Sequence, residues 1–298
     1  MSIRPRRSVL YMPGSNARAI EKARTLPADA VILDLEDSVA PDAKASARGQ
    51  VMEAVKAGGF GPREVVVRIN GIDTPWHSDD LTAAGQTGPD AILVPKISHP
   101  DQLERIGQRL LDLHANLRTR VWAMIESPVA LFNILPLAAE AADSETRLAV
   151  FVMGTNDIAK ETRARLVPGR WPMVPWLMQC VAAARVYGID ILDGVYNDIG
   201  NAEGFVRECE EARDMGFDGK TLIHPNQIGP CNAAFSPSTD EVAQARKMIA
   251  AFDLPENRDK GVVAIDGKMV ERLHAEMARR TVEIAQAIEA RAAAAQPG

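Results

Sequence analysis

The sequence predicts an α/β protein: a (β/α)8 TIM barrel over residues 1–234, followed by a C-terminal helical extension over residues 235–298. Three observations carry this prediction. Eight short apolar runs recur along the chain: SVLYMPG, AVILDLED, VVVRIN, AILVPK, VWAMIES, AVFVMGTND, ILDGVY and TLIHP. Strands of a parallel sheet are buried on both faces and read as unbroken apolar runs, and in a barrel the chemistry collects where the strands stop. Segments rich in Ala, Leu, Glu, Lys and Arg at helical periodicity separate the runs, which makes the connections crossovers. Eight such units fit a closed barrel, which takes roughly 250 residues. No GxGxxG or GxxxxGK[ST] loop signals a doubly wound nucleotide-binding sheet.

In chain order, the first run leads into NARAIEKARTL and the second into DAKASARGQVMEAVKAG, both helical in character. The third is followed by a longer, irregular connection, GIDTPWHSDDLTAAGQTGPD, which carries Trp76, His77, Asp79 and Asp80. Loops of that kind at the catalytic face of a barrel line substrate sites. HPDQLERIGQRLLDLHANL and PVALFNILPLAAEAA follow the fourth and fifth runs as helices. From about Phe235 the texture changes to a helical STDEVAQARKMIAAFDL, a polar turn PENRDKG, a short VVAIDGKM run and a long Ala/Glu/Arg helix. A closed barrel has no place for a ninth strand, so this tail is expected to pack outside it or to reach over a neighbouring subunit.

Composition narrows the function. The chain has 298 residues, 46% hydrophobic and 25% charged, enough for one large barrel. Its net charge of −6 gives no support for nucleic-acid binding. No apolar stretch reaches the length of a membrane span, and the N-terminus lacks the features of a signal peptide, so a cytoplasmic protein is expected. Cys180, Cys209 and Cys231 are odd in number and lack CxxC spacing, which argues against a disulfide framework or zinc ribbon. Arg4, Arg6, Arg7, Arg18, Lys22 and Arg24 crowd the first two dozen residues against a lone Glu21. That cluster suits a phosphate-bearing ligand near the first strand, or equally an ordinary solvated helix face.

The candidate chemistry sits at the ends of the runs. Glu126 and Asp157 close the fifth and sixth, and adjacent strand ends let two such carboxylates share a hard divalent cation, Mg²⁺ being the natural one. Gly154, Thr155 and Asn156 offer backbone N–H groups to an anionic ligand. Either carboxylate could instead cap a helix or meet an Arg. Arg68 at the end of the third run is the candidate anchor for a substrate carboxylate, with a structural bridge to Glu36 or Glu126 as the competing reading. Glu36 and Asp37, with Asp34 two residues before Glu36, could bind metal-bound water, hold Arg68 or relay a proton; Asp34 could equally be a satisfied core carboxylate. Lys96 and Lys220 are candidates for anion or Schiff-base roles, although a metal would make an imine redundant. His224 could act as acid, base or ligand, or serve as a structural hydrogen-bond partner. No HExxH or GxSxG is present.

Several strings resemble the citrate lyase beta-subunit-like family, which includes malyl-CoA and citramalyl-CoA lyases within the HpcH/HpaI aldolase superfamily. They are RSVLYMPGSN at Arg7–Asn16, DAVILDLEDSVAPDAK at Asp29–Lys44, VRIN at 67–70, VPK at Val94–Lys96, IES at Ile125–Ser127, GTNDIAKE at Gly154–Glu161, LDGVYNDI at Leu192–Ile199 and GFDGKTLIHPNQI at Gly216–Ile228. They cover almost the whole chain, in order. The resemblance implies a barrel that binds Mg²⁺ through Glu126 and Asp157. Arg68 would hold the carboxylate of a 2-oxo acid such as glyoxylate, pyruvate or oxaloacetate. The implied reaction is carbon–carbon cleavage or formation beside a thioester, giving a 2-oxo acid and an acyl-CoA from malyl-CoA, methylmalyl-CoA or citramalyl-CoA. Arg18 and Lys22 would then serve the coenzyme A phosphates. The family also implies homotrimers or hexamers whose C-terminal segment covers the next subunit's site and carries an acid/base Asp two residues after a Met. In DGKMVERLH that position is Glu271, one methylene longer, with Asp266 nearby. Two further outcomes stay open: hydrolysis of the thioester with Glu36, Asp37 or Glu271 as base, or a citrate lyase subunit that takes its substrate from an acyl-carrier protein.

Overall fold

A computed structural model of the chain describes residues 3–294. Eight parallel strands close into a barrel in sequence order: β1 (Ser8–Pro13), β2 (Ala30–Asp34), β3 (Glu64–Arg68), β4 (Ala91–Val94), β5 (Arg120–Ile125), β6 (Leu148–Met153), β7 (Asp190–Asp193) and β8 (Gly219–Leu222). β8 returns to β1, with Val9 opposite Thr221. Closure removes every edge, and the helices between strands cover the outside, so the expected TIM barrel is the fold observed.

Each strand divides its residues between two cores by period-two alternation. Val9, Ile32, Val66, Leu93, Trp122, Val150, Val152 and Leu192 fill the barrel interior. Their neighbours Leu10, Val31, Leu33, Val67, Ala123, Phe151 and Ile191 pack under the helices. Counting two residues on from the interior positions reaches Tyr11, Asp34, Arg68 and Met124, which therefore point into the mouth at the C-terminal ends of the strands.

The opposite end of the barrel is closed by charge. Arg6 pairs with Glu64, the first residue of β3, at 2.7 Å and with Asp190, the first of β7, and its guanidinium lies 5.3 Å from the centre of the interior Trp122 ring. Arg7 pairs with Asp29 at 2.8 Å, just before β2. Two members of the N-terminal basic cluster thus seal the floor and cannot serve a ligand at the mouth. A third, Arg24, lies over the Phe60 ring and pairs with Glu21.

Arg6–Phe235 form one compact unit, and the chain from Ser236 onward belongs to another. The second unit is not wholly helical. Helices Thr239–Asp253 and Arg272–Ala294 accompany an antiparallel hairpin of β9 (Val262–Ile265) and β10 (Lys268–Glu271). The hairpin turns at Asp266 and Gly267, both at positive φ (52° and 78°), the Asp-Gly signature of a tight hairpin turn. Phe252, Val263, Val270 and Ala275 form its small core. Among the described residues no helix is long and apolar enough to cross a membrane.

Candidate active site at the barrel mouth

Arg68 is the hub of the mouth. Its Nε and Nη2 donate to the two carboxylate oxygens of Asp34 at 2.6 and 2.7 Å, a two-pronged pair that is buried on both sides. Asp34 also accepts the backbone N–H groups of Glu36 and Ser38, so one carboxylate fixes both the guanidinium and the loop that follows β2. Burial raises its pKa, but the Arg68 charge and the hydrogen bonds from Arg68, Ser38 and Glu36 together outweigh burial and hold Asp34 below the usual carboxylate range. The remaining nitrogen, Nη1, faces Glu36 Oε2 at 2.9 Å and Asp37 Oδ2 at 3.3 Å.

One guanidinium cannot neutralise three carboxylates. Glu36 is buried, and that burial, followed by the opposing pull of Arg68 and the repulsion of Asp37, Glu126 and Asp34, leaves its pKa pushed up to about 8. The loop that carries it is pinned from beneath. The buried Lys44 Nζ donates to the carbonyls of Leu35 and Glu36 at 2.9 and 2.7 Å, and Asn70 Nδ2 also donates to Leu35.

Glu126 follows β5 and is 3% exposed. Oε1 accepts the Lys96 backbone N–H at 2.6 Å, which Lys96 presents from a left-handed conformation with φ 57°. On its other side sits Gly154, where a Cβ would come within 2.7 Å of Oε2, so only glycine lets the helix Thr155–Thr162 approach. Burial, moderated by the Lys96 N–H and reinforced by the nearby Asp157 charge, pushes the Glu126 pKa up to about 7. The mutual repulsion of these two carboxylates is of the kind a divalent cation relieves. Among the described residues no three His, Cys, Asp or Glu side chains are arranged to hold a metal alone. That donor set fits Mg²⁺, which binds through one or two carboxylates and keeps several waters, and does not fit zinc.

A cavity of about 310 Å³ opens between these groups, lined on one side by Tyr11, Asp34, Asp37, Arg68 and Met124 and on the other by Met153, Gly154, Thr155, Asn156 and Asp157. The structure thus brings together at one mouth Arg68, Glu36, Asp37, Glu126, Gly154, Thr155, Asn156 and Asp157. Glu36 and Glu126 stand outside the lining itself. Arg18 and Lys22 lie exposed, four residues apart, on the first helix, Ala17–Ala23.

Other candidates fall elsewhere. Lys220 points outward from β8, fully buried, and pairs with Asp193 at 2.6 Å and Glu208 at 2.7 Å. Arg170 closes the same cluster with both oxygens of Asp193 at 2.7 and 2.8 Å. The ammonium is a structural ion, so the sequence reading of Lys220 as an anion-binding or imine-forming group is corrected. His224 caps the short turn Pro225–Gln227, its Nδ1 accepting from Asn226 N–H. Lys96 Nζ is 3.9 Å from Glu36. In the second unit Glu271 is exposed at the end of β10, whereas Asp266 pairs with Lys247 at the hairpin turn. The sequence reading missed Tyr11 and Met124, although the two-residue count from Val9 and Trp122 would have found both.

Residues 7–225 match the HpcH/HpaI aldolase/citrate lyase family. The chain belongs to this family. Within it, the chain is 47% identical to a (3S)-malyl-CoA thioesterase of Cereibacter sphaeroides over 286 residues, 96% of each chain. It is 33% identical to the L-malyl-CoA/beta-methylmalyl-CoA lyase of Cereibacter sphaeroides, again over 96% of each chain. Among solved structures, the protein CitE of Mycobacterium tuberculosis in complex with magnesium, acetoacetate and coenzyme A shares 27% identity, with a TM-score of 0.75 over 95% of this chain and 98% of that one. The expected family is therefore borne out, and it is a family of enzymes.

Proposed function

We propose that this chain is a Mg²⁺-dependent enzyme that hydrolyses the thioester of a 3-hydroxyacyl-CoA of the malyl-CoA kind, releasing free coenzyme A and a hydroxy dicarboxylic acid. The observation that carries the reading is the cavity itself, lined by Asp157 and Arg68, with the buried Glu126 carboxylate just behind the lining within the electrostatic reach of both. Such a site takes a small acid with one carboxylate and one further oxygen. The similarity to malyl-CoA thioesterases, stronger than that to the lyase, supports hydrolysis.

Glu126 and Asp157 would hold Mg²⁺, which when bound supplies positive charge to substrate oxygens and makes the reacting carbonyl more electrophilic. Arg68 Nη1 binds the substrate's free carboxylate, with Asp34 fixing the plane of the fork. Asp37, which lines the cavity and is 71% exposed, takes the proton of the attacking water. A carbon–oxygen bond forms at the acyl carbon, the carbon–sulfur bond breaks, and the proton passes to the departing thiolate. Arg18 and Lys22 meet the coenzyme A phosphates. We place the protein in the cytoplasm as a homotrimer or hexamer.

One observation favours a second reading, carbon–carbon cleavage. Glu271 is exposed at the tip of β10 and would protonate the acyl carbon if a neighbouring subunit delivered the hairpin. A citrate lyase subunit fed by an acyl-carrier protein would share this geometry. Incubation of (3S)-malyl-CoA with enzyme and Mg²⁺ separates the outcomes. Free coenzyme A and malate in equal amounts are expected; glyoxylate with acetyl-CoA would replace hydrolysis by cleavage, and turnover only on a carrier-protein thioester would assign the third role.

A further inference from the structure

Tyr11 and Arg68 converge on one atom. The phenol O–H of Tyr11 lies 3.9 Å from Met124 Sδ, and Arg68 Nη1 lies 3.8 Å from the same sulfur. A thioether is a weak acceptor, so the phenol aimed at it is a strong donor with little to donate to, while Arg68 Nη1 also faces Glu36 and Asp37. The Tyr11 ring also lies 4.8 Å from the Arg68 guanidinium carbon, within cation–π range, which fixes the two side chains relative to each other. Both residues and Met124 line the cavity. Burial of Tyr11 disfavours the phenolate, so its hydroxyl remains a donor throughout the working pH range.

We propose that Tyr11 is a substrate-binding residue whose hydroxyl donates to the carboxylate held by Arg68 Nη1, the bound oxygen taking the place of Met124 Sδ as acceptor. A carboxylate accepts several hydrogen bonds at once, and a charge-assisted bond from the phenol is about twice as strong as a neutral one. The hydroxyl therefore selects ligands that carry an acid at this point over those that carry an apolar group. This inference rests on the carboxylate-binding reading of Arg68 made above.

The test is calorimetric titration of pyruvate into the Mg²⁺-saturated full-length enzyme, with Tyr11→Phe and Tyr11→Leu beside the wild type. Tyr11→Phe keeps the ring over Arg68 and removes only the hydroxyl; its pyruvate Kd is expected to weaken about tenfold or more, with melting temperature and Mg²⁺ affinity unchanged. Tyr11→Leu should lose further affinity because the cation–π contact goes too. Equal pyruvate binding by Tyr11→Phe and wild type would overturn the role of the hydroxyl while leaving the site intact. A wild type that binds neither pyruvate nor malate would overturn the carboxylate reading and this inference with it. If Tyr11→Phe misfolds, Met124→Leu decides, because leucine conserves volume and accepts no hydrogen bond. Retained pyruvate binding supports the proposal, and its loss shows that the two donors serve the sulfur.

Discussion

Asp34 holds Arg68 by both prongs of its fork, at 2.6 and 2.7 Å, with Asp34 1% exposed. The pair leaves a single nitrogen, Nη1, for everything else at the mouth. Asp34→Ala would strand a buried guanidinium and unpin the Glu36 and Ser38 N–H groups as well. Loss of one partner of a buried pair costs about 3–5 kcal/mol. Urea unfolding of Asp34→Ala should show a loss of that size, and the variant's KM for the thioester should rise because the fork loses its plane.

Glu36 predicts a pH-dependent stability. Its pKa is raised in the folded protein to about 8, from an ordinary value of 4.5. The folded state therefore keeps a proton that the unfolded chain has already lost. The contribution of Glu36 to stability is complete below about pH 4.5, declines as pH rises, and is gone above the folded pKa. Glutamine does not titrate. The melting temperature of Glu36→Gln relative to wild type should accordingly rise between pH 5 and pH 8 and stay level above that; a constant difference across the range would show Glu36 ionised throughout.

The residues readable from sequence were those at which an apolar run meets a charge. Arg68, Glu126 and Asp157 stand out for that reason, and so does the acidic group at Asp34–Asp37. Tyr11 and Met124 read as ordinary members of SVLYMPG and VWAMIES, and only the alternation set by Val9 and Trp122 separates them from their outward neighbours. Lys220 misled because its direction depends on the same parity. Thr221 lines the cavity, so Lys220 faces the helices, where its partners Asp193 and Glu208 come from two other elements. The basic N-terminal cluster likewise divides along the chain: Arg6 and Arg7 precede β1 and lie at its floor, while Arg18 and Lys22 lie exposed on the helix that follows it. Pairing across the barrel is a long-range property that no local window contains.

Gly154 gives a steric prediction. An added Cβ would lie 2.7 Å from Glu126 Oε2, while the Lys96 N–H holds the other oxygen at 2.6 Å. Glu126 cannot yield without losing one of its positions. Gly154→Ala should lower turnover by about tenfold or more and raise the Mg²⁺ concentration needed for half-maximal activity. Gly229, in the helix Ile228–Ala234 with open space around its Cβ position, is the control. Gly229→Ala should leave activity unchanged and add about 0.4–1 kcal/mol of stability.

Lys220 separates a structural ion from a catalytic amine. Its ammonium is fully buried between Asp193 and Glu208, and both carboxylates raise its pKa against the effect of burial. A protonated amine without access to the mouth cannot attack a carbonyl. Borohydride reduction of the enzyme in the presence of glyoxylate should therefore add no mass at Lys220. Lys220→Met would leave Asp193 to Arg170 alone and Glu208 without its closest cation, at a cost of about 3–5 kcal/mol. Whatever Lys220→Met protein folds at low temperature should keep the KM of wild type, because none of the lining residues of the mouth depends on that ammonium. A covalent adduct at Lys220, or a changed KM at unchanged fold, would return the lysine to the chemistry.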